Sequence, residues 1–329
     1  MRVRTVSRAI LGMAVGLLLA IEAGPAPAAE SEPYPSRPIR LVVPAAPGAA
    51  DFAPRLLGRK LSEALGQPVV VENRPGAAYN VASDHVAKSA PDGYTILYTG
   101  SVITILPSVM GAAAVDPSTA FVPIAKVLRV PMLIVANRSL GVNTLPELLA
   151  RARMEPGRIA YASPGIGTVP HLTASVIARE AGVELMHVPY ANSNQAIKDV
   201  VSGEVPVYLN FIGNLEAHIR TGNLVPLAVA GAQRIRWYPD LPTVAELGYP
   251  EAAADPWSGF FAPAGTPREI IDRLNLEINR VLAQPDVREQ LAGQGMEPLG
   301  STPEQLGADV RAALARWPAI VRAAGIRRD

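Results

Sequence analysis

The chain reads as an α/β protein of two lobes joined by two crossing segments, a clamshell. Three observations predict this. Short apolar runs such as Ile39–Val43 and Val69–Glu72 alternate with amphipathic stretches over short connections, the rhythm of parallel βαβ units. The same rhythm returns between Thr144 and Ala230. Two proline-marked segments, Phe121–Ala136 and Trp237–Pro242, read as the passages from one sheet to the other and back.

Ile39–Val43 is a buried-type strand, and Pro47-Gly48-Ala49-Ala50-Asp51 is the turn after it. The helix that follows runs to about Leu65. Leu57, Leu61 and Leu65 share one face at four-residue spacing, and Gly66 is its stop. Val69–Glu72 is the next strand, Asn80–Ala90 a helix halted by Pro91-Asp92-Gly93, and Ile96–Thr99 a third strand. Pro123 and Pro131 argue against one continuous strand through Phe121–Ala136. Thr144-Leu145-Pro146-Glu147 has the form of a capping box opening a helix to Arg153. Ile159–Ala162 reads as a strand, and Val169–Ala181 as a helix with Thr168 as N-cap and Gly182 just past its end. Strands Leu185–Val188, Val205–Leu209 and Leu224–Ala230, with helices Asn194–Ser202 and Leu215–Arg220 between them, complete the second set. The remainder is expected to be mainly helical. Capping boxes at Thr266–Glu269 and Thr302–Gln305 open helices Pro267–Ala283 and Pro303–Ala324, with a shorter helix near Asp286–Ala292. Residues 30–130 and 240–329 are thus expected to form one lobe and residues 131–239 the other. Ligands of open α/β sheets bind at the carboxyl ends of the strands, here the cleft between the lobes.

The N-terminus carries an export signal. Arg2, Arg4 and Arg8 precede the apolar core Ala9–Ile21, and Ala26-Pro27-Ala28 has the form of a cleavage site. A periplasmic address follows, with cleavage expected near Ala28. Removing residues 1–28 leaves 27 basic and 28 acidic residues, a balance with no basic stripe for nucleic acid. The absence of cysteine excludes disulfides, a thiolate nucleophile and Cys-ligated metal.

The stretch Tyr161-Ala-Ser-Pro-Gly-Ile-Gly-Thr168 joins a strand to a helix with little side-chain bulk. It reads either as a tight turn or as an anion site, because free amides and the helix dipole both favour negative charge. Pro170 in the first turn removes an N–H that would be unpaired anyway. His85, His171, His187 and His218 have no metal-ligand spacing, so no metal is expected, and no cofactor. His171 reads as a histidine packed under the glycine loop or as a group facing the ligand. A Ser163/His171 hydrolase lacks both the Gly-x-Ser-x-Gly elbow and a nearby carboxylate. Asp51 reads as a helix cap rather than a general base, and Trp257, Phe260 and Phe261 read as core, the alternative being that Trp257 lines the ligand cleft.

These residues resemble a known family, the extracytoplasmic solute-binding proteins of tripartite tricarboxylate transporters, often called Bug proteins. The markers are Tyr34-Pro-Ser-Arg-Pro-Ile-Arg, Val71-Glu-Asn-Arg-Pro-Gly, Ala90-Pro-Asp-Gly-Tyr-Thr, Tyr161-Ala-Ser-Pro-Gly-Ile-Gly-Thr, His171-Leu, His187-Val-Pro-Tyr and Phe261-Ala-Pro-Ala-Gly-Thr-Pro. The resemblance implies a two-lobed, type II Venus-flytrap fold closing on a small, usually carboxylated solute. It implies that the carboxylate is held by one loop from each lobe, here Pro47, Gly48, Ala49, Ala50 and Asp51, and Ser163, Gly165, Gly167 and Thr168 with His171. Asn80 and the Gly100–Thr104 segment, including Ser101, match further cleft positions. Three places depart from the family pattern. The first loop is one residue shorter and lacks its usual hydroxyl at Ala50. Tyr190-Ala191-Asn192 stands for Tyr-Lys-Gly, and Asn210 stands where relatives carry Asp.

The expected function is therefore capture of a small carboxylate (an organic acid, aromatic acid or amino acid) for delivery to membrane transporter subunits. The alternative is a periplasmic sensor whose closed form docks on a signalling receptor. No enzymatic activity is expected.

Overall fold

A computed structural model of the chain describes residues 33–326. The expected export signal, residues 1–28, lies outside them. Two separate sheets carry the fold. The first begins with β1 (Ile39–Val43), α1 (Phe52–Leu65), β2 (Val69–Asn73), α2 (Asn80–Ala87) and β3 (Thr95–Gly100). β1 pairs in parallel with both β2 and β3, as helical crossovers between neighbouring strands require. Leu57, Leu61 and Leu65 lie buried along α1, and Gly66 ends it at φ 69°, where a β-carbon would be strained. Two short helices, α3 (Leu106–Met110) and α4 (Pro117–Ala120), lead into β4 (Phe121–Arg129).

The proline-marked segment proves to be two strands in two sheets. β4 belongs to the first sheet, β5 (Met132–Asn137) to the second, and Val130-Pro131 is the joint. Pro123 sits inside β4 beside a register shift at Phe260/Phe261, an irregularity that tolerates a missing N–H.

The second sheet is completed by α5 (Leu145–Met154), β6 (Ala160–Ser163), α6 (Val169–Ala181), β7 (Met186–Pro189), α7 (Ser193–Ser202), β8 (Val207–Phe211), α8 (Ile212–Arg220) and β9 (Leu224–Val229). Its strand order is β7-β6-β8-β5-β9. Side chains of β5 alternate between two cores: Met132, Ile134 and Ala136 face one, Leu133 and Val135 the other. Thr144 caps α5 by accepting from the Glu147 N–H, but Glu147 returns its bond to the Asn143 N–H, so the capping box is only half formed.

The C-terminal part departs most from expectation. β10 (Trp257–Pro263) is laid between β4 and β3, antiparallel to both, so the first sheet runs β11-β4-β10-β3-β1-β2. Gly259 allows this, because a β-carbon there would stand 2.9 Å from the Ala125 carbonyl oxygen. The second passage between sheets was expected at Trp237–Pro242 and instead lies at Ala254–Trp257. Trp237, Tyr238 and Leu241 pack on one core of the second sheet, and Val244 and Ala252–Ala254 pack in the other. The two joints are bonded side by side, Val130 N to Pro256 O at 2.8 Å and Ala254 N to Ala230 O at 2.9 Å. Arg129 clamps them, donating to Glu297 at 2.7 Å and lying 3.7 Å from Asp255.

After β10 come α9 (Arg268–Leu282), α10 (Pro285–Gly293), β11 (Glu297–Pro298) and α11 (Pro303–Ala323). The box expected at Thr266 does not form. Its hydroxyl donates to Pro263 O, and Pro267 takes the cap position. Thr302 and Gln305 form the full reciprocal box. Leu306 and Val310 of α11 pack in the first sheet's core, whereas Trp317, Ile320 and Val321 pack in the second's. Pro318 removes a helix N–H in the stretch that joins the second core. Among the described residues no helix is long and apolar enough to cross a membrane.

Candidate ligand-binding site

In each sheet one strand, flanked in parallel by two others, runs into a loop and a helix: β1 into α1, and β6 into α6. The loop of the second sheet is held by its own small groups. Thr168 Oγ1 donates to Gly165 O at 2.7 Å, and the Gly165 N–H donates to Ser163 Oγ at 3.2 Å. Gly167 takes φ 75°, which glycine adopts without the strain a β-carbon would bring. Thr168 occupies the N-cap position, as expected, but makes no side-chain capping bond because its hydroxyl is turned to Gly165. Among the described residues, the Val169 and His171 backbone N–H groups find no acceptor, and Pro170 between them has none to offer. Two free donors at the positive end of a 13-residue helix form a seat for an anion.

Behind this loop stands a stack of three rings. Parallel pairing of β6 with β7 sets Tyr161 opposite His187, with ring centroids 4.9 Å apart. His171, in the first turn of α6, lies on the other face of His187 at 3.8 Å and an interplanar angle of 8°. His171 Nδ1 accepts from the Gly167 N–H at 3.1 Å, which places any proton of the neutral ring on Nε2. His187 Nε2 lies 2.7 Å from Ser163 Oγ. Burial, and secondarily the neighbouring His187, push the His171 pKa down to about 4, and burial lowers that of His187. Both imidazoles are therefore neutral at pH 7. They fix the shape of the loop and contribute no charge. From the sequence His187 takes no site role, being a histidine without metal-ligand spacing and part of a family marker; the signal that locates it is the parallel pairing of the two strands.

The first loop is organised differently. Asp51 is 1% exposed and accepts from the Gly48 N–H at 3.0 Å, Arg55 Nε at 2.7 Å and Asn73 Nδ2 at 3.0 Å. Burial alone would raise its pKa, but these donors together hold it below the usual carboxylate value. The expected capping role is not met, since Asp51 makes no side-chain bond to the helix N-terminus. Its carboxylate folds the loop back on itself, leaving Pro47, Gly48 and Ala50 exposed above the short turn Ala49–Asp51.

The remaining predicted residues divide. Ser101 lies just past β3 with a hydroxyl that makes no hydrogen bond among the described residues. Asn80 spends both ends of its amide on the chain after α3, donating to Ala113 O and accepting from the Val115 N–H, each at 2.9 Å. The Tyr190 hydroxyl is bound to Asp199 at 2.7 Å. Asn210 is fully buried, donating to the Tyr208 hydroxyl at 2.5 Å and accepting from the Phe211 N–H at 2.7 Å. Two open surface cavities, of about 430 and 420 Å³, lie around Arg37–Thr95 and around Trp237–Pro242, and neither gathers a predicted site residue. Among the described residues no group of three His, Asp or Glu is placed to hold a metal.

Comparison with known proteins agrees with this architecture. A family profile described as "Tripartite tricarboxylate transporter family receptor" matches residues 54–326. Protein BugT of Bordetella pertussis is 37% identical over 320 residues, 95% of this chain and 97% of its own. The solved structure of the periplasmic binding protein BugD is 33% identical with a TM-score of 0.75, covering 90% of this chain and all of its own. A structure of an R. palustris protein with adipate is also 33% identical, with a TM-score of 0.78 over the same shares. The chain belongs to the tripartite tricarboxylate transporter receptor family, and its fold is that of the periplasmic binding protein BugD.

Proposed function

We propose that this protein is exported, cleaved near Ala28, and captures a small carboxylated solute between its two lobes for delivery to a membrane transporter. One observation carries the reading: the loop Ser163–Thr168 presents the unpaired Val169 and His171 amides at the start of α6 while its own hydroxyls and His171 hold it rigid. Hydrogen bonds to a charged group contribute about 1.5–3 kcal/mol each, and the helix terminus adds roughly 0.3–1 kcal/mol for an anion. The adipate found with an R. palustris relative supports the ligand class. The free Ser101 hydroxyl and the exposed Pro47–Ala50 turn are assigned to the facing lobe.

Closure is assigned to movement about the paired joints at Val130-Pro131 and Ala254–Pro256. It excludes water and strengthens every polar contact to the ligand. Release follows when the membrane partner favours the open form, a shift of population rather than a chemical step. Against hydrolysis stands the full burial of Ser163, whose hydroxyl is already bonded within the loop.

The test is a thermal-shift screen of the mature protein against mono- and dicarboxylates, aromatic acids, amino acids, neutral amides and sugars. A ligand at 100 times its Kd adds about 2.7 kcal/mol of stability. A rise in melting temperature with carboxylates supports the reading, and a rise confined to amides or sugars refutes it.

A further inference from the structure

The turn between β2 and α2 holds two non-glycine residues in the left-handed region, Ala77 at φ 43° and Tyr79 at φ 81°. Such backbone is costly for any residue with a β-carbon and persists where surrounding structure imposes it. The imposing bonds engage its backbone: the Tyr79 N–H donates to Gly76 O, and Tyr79 O accepts from the Ser83 side-chain hydroxyl, each at 3.0 Å. Asn80 beside it is pinned to Ala113 and Val115. The Tyr79 hydroxyl itself makes no hydrogen bond among the described residues, and at 37% exposure its ring is the most exposed aromatic there. The strained turn thus holds a ring that stays partly exposed while burial raises the pKa of its phenol.

The position of that ring is informative. It hangs from the carboxyl end of β2, the ligand side of a parallel sheet. Its phenol opposes ionisation of the buried Tyr98 hydroxyl on β3, three residues before Ser101, after the larger effect of burial. The chain after α3 that Asn80 pins continues the same rim. Val109 of α3 stands 3.6 Å from where a β-carbon of Gly167 would be, so this rim meets the anion loop. The apex of that loop is Ile166, 64% exposed.

Charge narrows the ligand further. Arg55 is engaged by Asp51 and Asn73, and Arg74 by Glu72. His171 and His187 are neutral. The two arginines flanking the first lobe's ligand edge therefore already have partners, and the second lobe's loop offers amides suited to one carboxylate.

We propose that Tyr79 sets the specificity of the cleft as an aromatic wall which, with Ile166, selects a monocarboxylate bearing a flat unsaturated ring over a straight-chain dicarboxylate. This rests on the carboxylate-binding reading above. Stacking on one ring distinguishes such ligands by about tenfold.

The test is calorimetric titration of the mature protein with benzoate and with adipate, for wild type, Tyr79→Gly and Tyr79→Phe. Benzoate is expected to bind wild type at least tenfold more tightly than adipate. Tyr79→Phe should keep that ratio. Tyr79→Gly should remove it while still unfolding in one cooperative thermal transition, which shows that the variant folds. A ratio unchanged in Tyr79→Gly, a preference for adipate in wild type, or binding of neither acid overturns the proposal. Carboxylate binding as such fails only if the wider screen also returns no carboxylate.

Discussion

His171 allows a pH prediction of definite sign. It is buried, its ring is stacked on His187, and its Nδ1 accepts from the Gly167 N–H. Its pKa in the fold is about 4, against an ordinary value of 6.5. The unfolded chain therefore takes up a proton first as pH falls. The stabilisation is complete above pH 6.5, declines below it, and is gone below about pH 4. The gap corresponds to at most about 3 kcal/mol. The assay is urea unfolding from pH 7.5 to 4.5 of wild type and His171→Gln, a side chain that still accepts a hydrogen bond but does not titrate. Asp51 and the surface carboxylates are common to both proteins and cancel, whereas His187, stacked on His171, titrates together with it, so the difference reports the pair. Wild type should lose about 2–3 kcal/mol more than the variant across the range. Parallel curves, or a smaller loss in wild type, would refute the account of the ring stack.

Two further outcomes are expected. Thr168→Ala removes the 2.7 Å bond to Gly165 O and should weaken carboxylate binding roughly fivefold, about 1 kcal/mol, whereas Ala50→Thr on the exposed first loop should change it less than twofold; calorimetry of both variants decides. Gly231→Ala would drive its β-carbon into the Asp255 carboxylate beside the second joint and should cost about 1–3 kcal/mol by overpacking, read as a lowered urea midpoint; an unchanged midpoint would show that the joint yields freely.

Much of the fold was legible because short parallel units advertise themselves. β1, α1, β2 and the α6 helix with Gly182 at its end lie where apolar runs and glycine stops put them. β10 was not legible. Trp-Ser-Gly-Phe-Phe-Ala-Pro carries Gly259 and Pro263, which read locally as breakers, yet the glycine is what lets the strand pass against Ala125 in the middle of the sheet. The return passage was misplaced for a related reason: the prolines of Trp237–Pro242 mark a loop packed on the second sheet, and only the cores reveal where the chain leaves it. Thr266 illustrates the limit of motif reading, since its hydroxyl prefers Pro263 O to the helix amides. At the site, the glycine loop was visible from composition and the strand–helix pattern. The Asp51 bond to Asn73 and the His187 contact with Ser163 depend on pairing across strands and could not be read from local spacing, whereas Asp51–Arg55 is an i, i+4 pair that local spacing does show.

The central claim is that two unpaired amides at the start of α6 receive a ligand carboxylate. Amide 15N–1H spectra of the mature protein, recorded with increasing concentrations of the best carboxylate from the thermal screen, test it most directly. Saturable downfield proton shifts of Val169 and His171, larger than those elsewhere in α6, are the result expected from new hydrogen bonds to a charged acceptor. Saturable binding that leaves these two resonances unmoved would place the anion elsewhere and contradict the account.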